Sequence, residues 1–256
     1  MLSFGSLFAG IGGFDLGFER AGMTCSWQVE IDPFCRKVLA KHWPHVRRHD
    51  DVRTFPPAPM EDWNVDVVCG GFPCQDISNA GKKAGIEGEQ SGLWAEFARI
   101  VRQLRPRYVV VENVAALLVR GMGRVLGDLA ACGFDAEWDV LPASAFGAPH
   151  ERERLFLIAH SSEVTVKRSF ILDGKHAIPR NKKWSATENI KSGRRWKRWL
   201  SEAVAAVDGE ISSRDFCRVD DGLSAQLDRI GTTGNAVVPQ VAEYIARRIL
   251  EAEAKQ

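Results

Sequence analysis

Residues 65 to 78 read Val65-Asp66-Val67-Val68-Cys69-Gly70-Gly71-Phe72-Pro73-Cys74-Gln75-Asp76-Ile77-Ser78. The first part is a β-branched apolar run that stops at a Gly-Gly pair. Such a run has the signature of a buried parallel strand, and Gly-Gly followed by Pro-Cys-Gln reads as a tight turn at its carboxyl end. Open α/β sheets place ligands and chemistry at that edge. Cys74 is therefore a candidate nucleophile, since a turn rich in backbone N–H groups can expose a thiol and favour its thiolate. The alternative is a small core residue, because unpaired cysteine is among the most buried residue types.

Working outward, the same strand–turn–helix grammar recurs on both sides. Residues 1 to 22 give a strand, then the turn Phe8-Ala9-Gly10-Ile11-Gly12-Gly13, then a helix with Phe14, Phe18 and Ala21 on one face. Glycines there let backbone approach a ligand closely, and the helix N-terminus favours negative charge. The turn by itself leaves NAD, FAD and S-adenosylmethionine open. A second strand from Thr24 to Ile31 is followed by Asp32, which suits the N-cap of a helix over Pro33 to His42. Glu30 is left as the acid placed to accept hydrogen bonds from a ribose. A short third strand near Val46 to Val52 carries Asp50-Asp51, where a carboxylate could accept an adenine amino group.

Beyond Cys74, residues 76 to 92 hold four glycines and little apolar periodicity. A loop of this length in a compact domain suits a lid, with Lys82 and Lys83 toward a phosphate backbone. A helix over Trp94 to Leu104 ends at Arg105-Pro106, and the fifth strand, Arg107 to Val114, closes on Glu112-Asn113. A carboxyl at the tip of a buried strand needs a partner, and beside a cysteine on the neighbouring strand it is a natural general acid. The spacing then predicts a helix over Leu117 to Cys132, a sixth strand over Phe134 to Leu141, and a seventh strand entered through Pro149-His150. On that strand Arg152 and Arg154, two apart, share a face. They can bind a carbonyl oxygen or phosphate, or else pair with Glu151 and Glu153. A last helix runs from Pro239 to about Ala254, after Thr232-Thr233-Gly234-Asn235.

Composition narrows the class. The chain has 256 residues, a formal charge of +1 and six cysteines without a C-x-x-C pair, which points away from a zinc site or a disulfide framework. Without an export signal or an apolar run of membrane-span length, a cytoplasmic protein is expected. The charge is segregated. Residues 161 to 200 carry eleven Lys/Arg against three Asp/Glu, a local net of +8 in a chain whose total is +1. With Trp184, Trp196 and Trp199 interleaved, this stretch suits polyanion contact with stacking, although tryptophan also serves as the core of a small domain.

Taken together, five stretches resemble the cytosine-5 DNA methyltransferase family: Phe8 to Gly13, Gly71-Phe72-Pro73-Cys74-Gln75, Glu112-Asn113-Val114, Pro149 to Arg154, and Gly234-Asn235-Ala236-Val237-Val238-Pro239. They occur in the family's order. The resemblance implies a Rossmann-like, S-adenosylmethionine-dependent α/β fold with a mixed seven-stranded sheet flanked by helices. Residues 1–160 plus 228–256 would form the catalytic domain and 161–227 a small basic target-recognition region. It implies methyl transfer to carbon 5 of a cytosine flipped out of double-stranded DNA. Cys74 would be the nucleophile oriented by Pro73, Glu112 the acid, and Arg152 with Arg154 the holders of the base. Phe8, Gly10, Gly12, Glu30, Ile31, Asp51, Val52, Asn235 and Val237 would line the cofactor pocket. Gln75, Ser78, Lys82, Lys83, Arg194, Arg195, Lys197 and Arg198 are the candidate DNA contacts. The expected assembly is a monomer of a bacterial or phage-infected cell, without metal or membrane, and a restriction nuclease is a candidate partner. Two features depart from the family: His150 stands where Gln is usual, and the span before Arg218-Val219-Asp220-Asp221-Gly222 is short. A tRNA methyltransferase on the same scaffold, a catalytically silent DNA-binding relative and a dinucleotide oxidoreductase are the rival readings.

Overall fold

A computed structural model describes residues 1–73, 93–148, 152–162 and 236–254. Its centre is one seven-stranded sheet in the order β3-β2-β1-β4-β5-β7-β6. The strands are β1 (Ser3–Leu7), β2 (Thr24–Val29), β3 (Arg47–His49), β4 (Val67–Gly70), β5 (Tyr108–Asn113), β6 (Phe134–Pro142) and β7 (Glu153–Ser161). The first five run parallel, and β7 lies antiparallel to both β5 and β6. This is the mixed α/β sheet expected from the sequence, with the topological switch between β1 and β4, where ligand crevices open.

Helices cover both faces. They are α1 (Gly13–Ala21), α2 (Pro33–His42), α3 (Leu93–Leu104), α4 (Leu117–Arg120), α5 (Met122–Ala131) and α6 (Pro239–Glu253). On one side, Phe14 and Phe18 of α1 and Val241, Ile245 and Ile249 of α6 pack with Phe4, Val110 and Ile158 of the sheet. On the other, Trp94, Phe97, Ile100 and Val101 of α3 and Val125 and Leu129 of α5 pack with Val68, Val109 and Leu157. Strands β4 and β5 are buried along their whole length, as a strand covered on both faces must be.

Local signals set most boundaries. Asp32 caps α2 by accepting the Cys35 N–H at 2.8 Å, and Pro33 occupies the first turn. The expected strands over 24–31 and 46–52 are shorter, because the chain leaves β2 at Val29 and turns into a 3-10 segment, Val52–Thr54, after β3. The single helix expected over Leu117 to Cys132 is two, since the backbone is extended at Gly121 and a new helix starts there. No described helix is long and apolar enough to cross a membrane.

Candidate active site

The strand-end geometry brings Glu112 and Arg154 together. Register places Glu112 of β5 opposite Phe156 of β7, so Arg154, two residues before Phe156, is its diagonal neighbour on the same face. Arg154 Nε lies 3.1 Å from Glu112 Oε1. The pairing of Arg154 with Glu153 is only through its backbone: Nη1 donates to the Glu153 carbonyl at 2.9 Å. Arg152 stands just before β7, and its carbonyl accepts the Ala143 N–H at 3.0 Å. Glu112, Arg152, Arg154, Phe156, Val237 and Val241 line one small pocket. Thus the two arginines and Val237, which are far apart in sequence, meet at the tip of β5.

Glu112 is buried, at 7% exposure. Burial pushes its carboxyl above the ordinary value, while the charges of Arg152 and Arg154 and the hydrogen bond from Arg154 pull the other way. A carboxyl with that balance can hold a proton and present it to a ligand atom. The turn after β4 is shaped around it. A side-chain carbon on Gly71 would come within 2.6 Å of Glu112 Oε2, so any larger residue there would push the acid's carboxyl from its place. Asn113 Nδ2 donates to the Phe72 carbonyl at 3.0 Å, and its own Oδ1 accepts the Val114 N–H. The first contact fastens the Phe72-Pro73 turn to the end of β5, and the second holds the Asn113 amide that makes it. Asn113 and Gly71 were quoted in the sequence motifs without a role; their function is visible only once β4 and β5 are side by side.

A second cluster sits at the ends of β1 and β2. Phe8 and Gly10 both adopt left-handed backbone, with φ of 53° and 57°, a conformation that costs a non-glycine residue about 1–3 kcal/mol. Open space faces Gly10 where a side chain would stand. Glu30 closes the turn from β2: its Oε2 accepts the Gly10 N–H at 2.7 Å and its Oε1 the Asp32 N–H at 2.8 Å. Burial raises its pKa and those backbone donors oppose the rise. Ile31 beside it is 61% exposed, an apolar side chain without cover. Asp51 binds Arg53 through both carboxylate oxygens, which holds its pKa below the usual range, and Val52 is buried next to it. Arg99 of α3 donates to the carbonyls of Val52 and Phe55 at 2.9 and 2.7 Å and anchors that segment. An open glycine turn, an acid at the second strand's end and an exposed apolar side chain fit a nucleoside cofactor.

Gly12 caps α1, and the Trp43 ring packs where its side chain would be. Cys74, Gln75, Ser78, Lys82, Lys83, Arg194, Arg195, Lys197, Arg198 and Asn235 lie outside the described residues, as does most of the 161–227 region. Pro73, directly before Cys74, ends the described turn at the sheet edge. Among the described residues, no group of three or more His, Cys, Asp or Glu side chains is placed to hold a metal.

Residues 2–213 match the family model described as C-5 cytosine-specific DNA methylase. A type II methyltransferase of Neisseria gonorrhoeae is 28% identical over 234 residues, which cover 90% of this chain and 60% of that protein. One from Escherichia coli is 38% identical over 161 residues, covering 60% of this chain and 38% of the relative. The chain thus spans 38% to 60% of the length of these relatives. Among solved structures, a prophage-encoded E. coli protein described as a DNA modification methyltransferase superposes with a TM-score of 0.67 at 18% identity, over 99% of this chain and 100% of its own. The S. pombe Dnmt2 methyltransferase gives 0.64 at 14%, over 98% and 99%. At these identities the two structures speak for the fold.

Proposed function

The chain belongs to the C-5 cytosine-specific DNA methylase family, and from that premise we propose that it methylates carbon 5 of cytosine in double-stranded DNA. The observation that carries the reading is the buried Glu112 carboxyl, 3.1 Å from Arg154 and wrapped by the turn that leads to Cys74.

The cytosine is flipped out of the duplex into the pocket beside Glu112. Cys74 attacks carbon 6 of the ring as thiolate, while Glu112 donates its proton to ring nitrogen 3. Electrons pushed in from sulfur and accepted at nitrogen make carbon 5 an enamine nucleophile. Arg154, with Arg152, holds the base's carbonyl oxygen and stabilises charge on the adduct. S-adenosylmethionine, when bound, supplies the electrophilic methyl group that carbon 5 accepts. Water takes the carbon 5 proton, which re-forms the double bond and expels Cys74 as thiolate, and Glu112 recovers its proton from nitrogen 3. The turn over Phe8, Gly10 and Gly12, open at Gly10, with Glu30, Ile31, Asp51, Val52, Asn235 and Val237, is the cofactor's place. DNA contacts fall to Gln75, Ser78, Lys82, Lys83 and the basic 161–227 region with Arg194, Arg195, Lys197 and Arg198.

The test is base-resolution mapping of 5-methylcytosine in plasmid from a methylation-free host expressing the chain or its Cys74→Ser variant. Methylation at a short motif, absent from the variant, is expected. A wild-type protein that binds S-adenosylmethionine yet leaves the plasmid unmodified overturns the assignment.

A further inference from the structure

Beneath the glycine turn lies a carboxylate that the proposed chemistry does not use. Asp15, in the first turn of α1, is 0% exposed. It accepts hydrogen bonds from Gln28 Nε2 at 2.9 Å and Ser6 Oγ at 3.2 Å, with the Cys25 thiol 3.5 Å away. All three donors are neutral, and no cation among the described residues touches it. A cation lies one side chain removed: Arg48 Nη1 donates to Gln28 Oε1 at 3.3 Å and to the Trp43 carbonyl at 2.7 Å. A buried carboxylate held only by neutral donors is an expensive arrangement.

Its position suggests what the charge does. Ser6 pairs laterally with Gln28, and Gln28 with Arg48. This polar row runs across β1, β2 and β3 two residues inside Phe8 and Glu30. Asp15 itself is three residues past Gly12. The carboxylate therefore lies between the first turn of α1 and the ends of β1 and β2, next to the glycine turn along the chain, in a packed interior that screens its field less than water does.

Resting on the reading that this turn holds S-adenosylmethionine, we propose that Asp15 is the buried counter-charge that makes the site favour the cationic sulfonium over its neutral thioether product, S-adenosylhomocysteine. The two ligands share adenosine and amino-acid portions, so contacts to those portions cancel in the comparison. Only a group that senses the charge on sulfur separates them. A favourable difference of this kind also helps product to leave.

The other charged or titratable groups nearby are Cys25 and Cys69, whose thiols burial keeps neutral, Glu19 on the same helix, Glu30 at the turn, and Arg48 behind Gln28. Unlike Glu30, whose carboxylate is held by backbone N–H groups of the turn and of Asp32, Asp15 is fully enclosed behind it and carries a pKa raised by burial to about 6.

Calorimetric titration of wild type and Asp15→Asn with each ligand at pH 7.5 tests the idea. One unit charge sensed through a partly screening interior corresponds to about a three- to tenfold effect. We expect S-adenosylmethionine to weaken by that factor while S-adenosylhomocysteine changes less than about twofold. Equal weakening of both ligands would show a merely structural residue and overturn the proposal, as would no change in either. Should the variant fail to fold, the wild type alone decides: its preference for the sulfonium must fall between pH 7.5 and pH 5, and a constant ratio overturns the proposal. A wild-type chain that binds neither ligand overturns the reading of the turn itself, a result distinct from an unchanged ratio.

Discussion

Asp15→Asn should make the folded protein more stable, and more so the higher the pH. The amide has nearly the shape of the carboxyl. Its oxygen can keep the Gln28 Nε2 bond, its NH2 can donate to Ser6 Oγ, and the Ser6 hydroxyl can turn to Cys69, with which it already interacts. What the substitution removes is the cost of a buried charge. Burial raises the Asp15 pKa from 3.8 to about 6. Since the folded state binds its proton more tightly than the unfolded chain, the stability associated with that proton is full below pH 3.8 and lost as pH rises through 6. Ionised Asp15 therefore costs about 3 kcal/mol at pH 7.5, and about 1.6 kcal/mol at pH 5, where the folded side chain is mostly protonated.

The variant's advantage should accordingly grow by about 1.4 kcal/mol between pH 5 and pH 7.5. Urea unfolding followed by tryptophan fluorescence reads this, with the slope checked so that only midpoints are compared. Every other titrating group is common to both proteins and drops out of the difference. An advantage that is constant with pH, or that shrinks as pH rises, would refute the claim that Asp15 is a desolvated charge in the folded state.

Two further outcomes follow from the geometry at the sheet edge. Glu112→Gln keeps the size of the side chain but has no acidic proton for ring nitrogen 3, so turnover on DNA should fall about 10²-fold or more while S-adenosylmethionine binding changes little; single-turnover methylation beside calorimetry separates the two effects. Gly13→Ala would drive a methyl group into the Val237 carbonyl, where α1 meets the start of α6; thermal unfolding should show a loss of about 1–3 kcal/mol, with weaker cofactor binding because both partners flank the cofactor turn.

How much of this was legible in the sequence depended on whether the signal was local. Helix α2 could be placed to the residue because its cap, Asp32, and its first-turn proline are adjacent in the chain. The same local reading ran through Gly121, because apolar periodicity continues on either side of it while the backbone does not. Glu112 announced itself as an acid at the end of four residues of unbroken strand. The partner of Arg154 did not: Glu151 and Glu153 are its neighbours in sequence, and Glu112 becomes its neighbour only when β7 returns antiparallel against β5.

Asp15 was invisible for a related reason. A charged residue beside Phe14 on an amphipathic helix is read as solvated, since carboxylates are rarely buried. Its burial follows from residues elsewhere, Ser6, Cys25 and Gln28, each unremarkable on its own strand, which the parallel register of β1 and β2 gathers beneath one helix turn. An apolar side chain at position 15 would close that space without the penalty of a buried charge. A site selected for stability alone would be expected to hold one, and on the proposal made above the energy lost in the fold is recovered in binding. The cationic cofactor is the natural place to recover it, because the carboxylate lies under the turn that fits that cofactor and away from the pocket proposed for the base. If Asp15→Asn is more stable and yet discriminates less between the two sulfur ligands, stability and ligand preference will have moved in opposite directions at one buried atom pair.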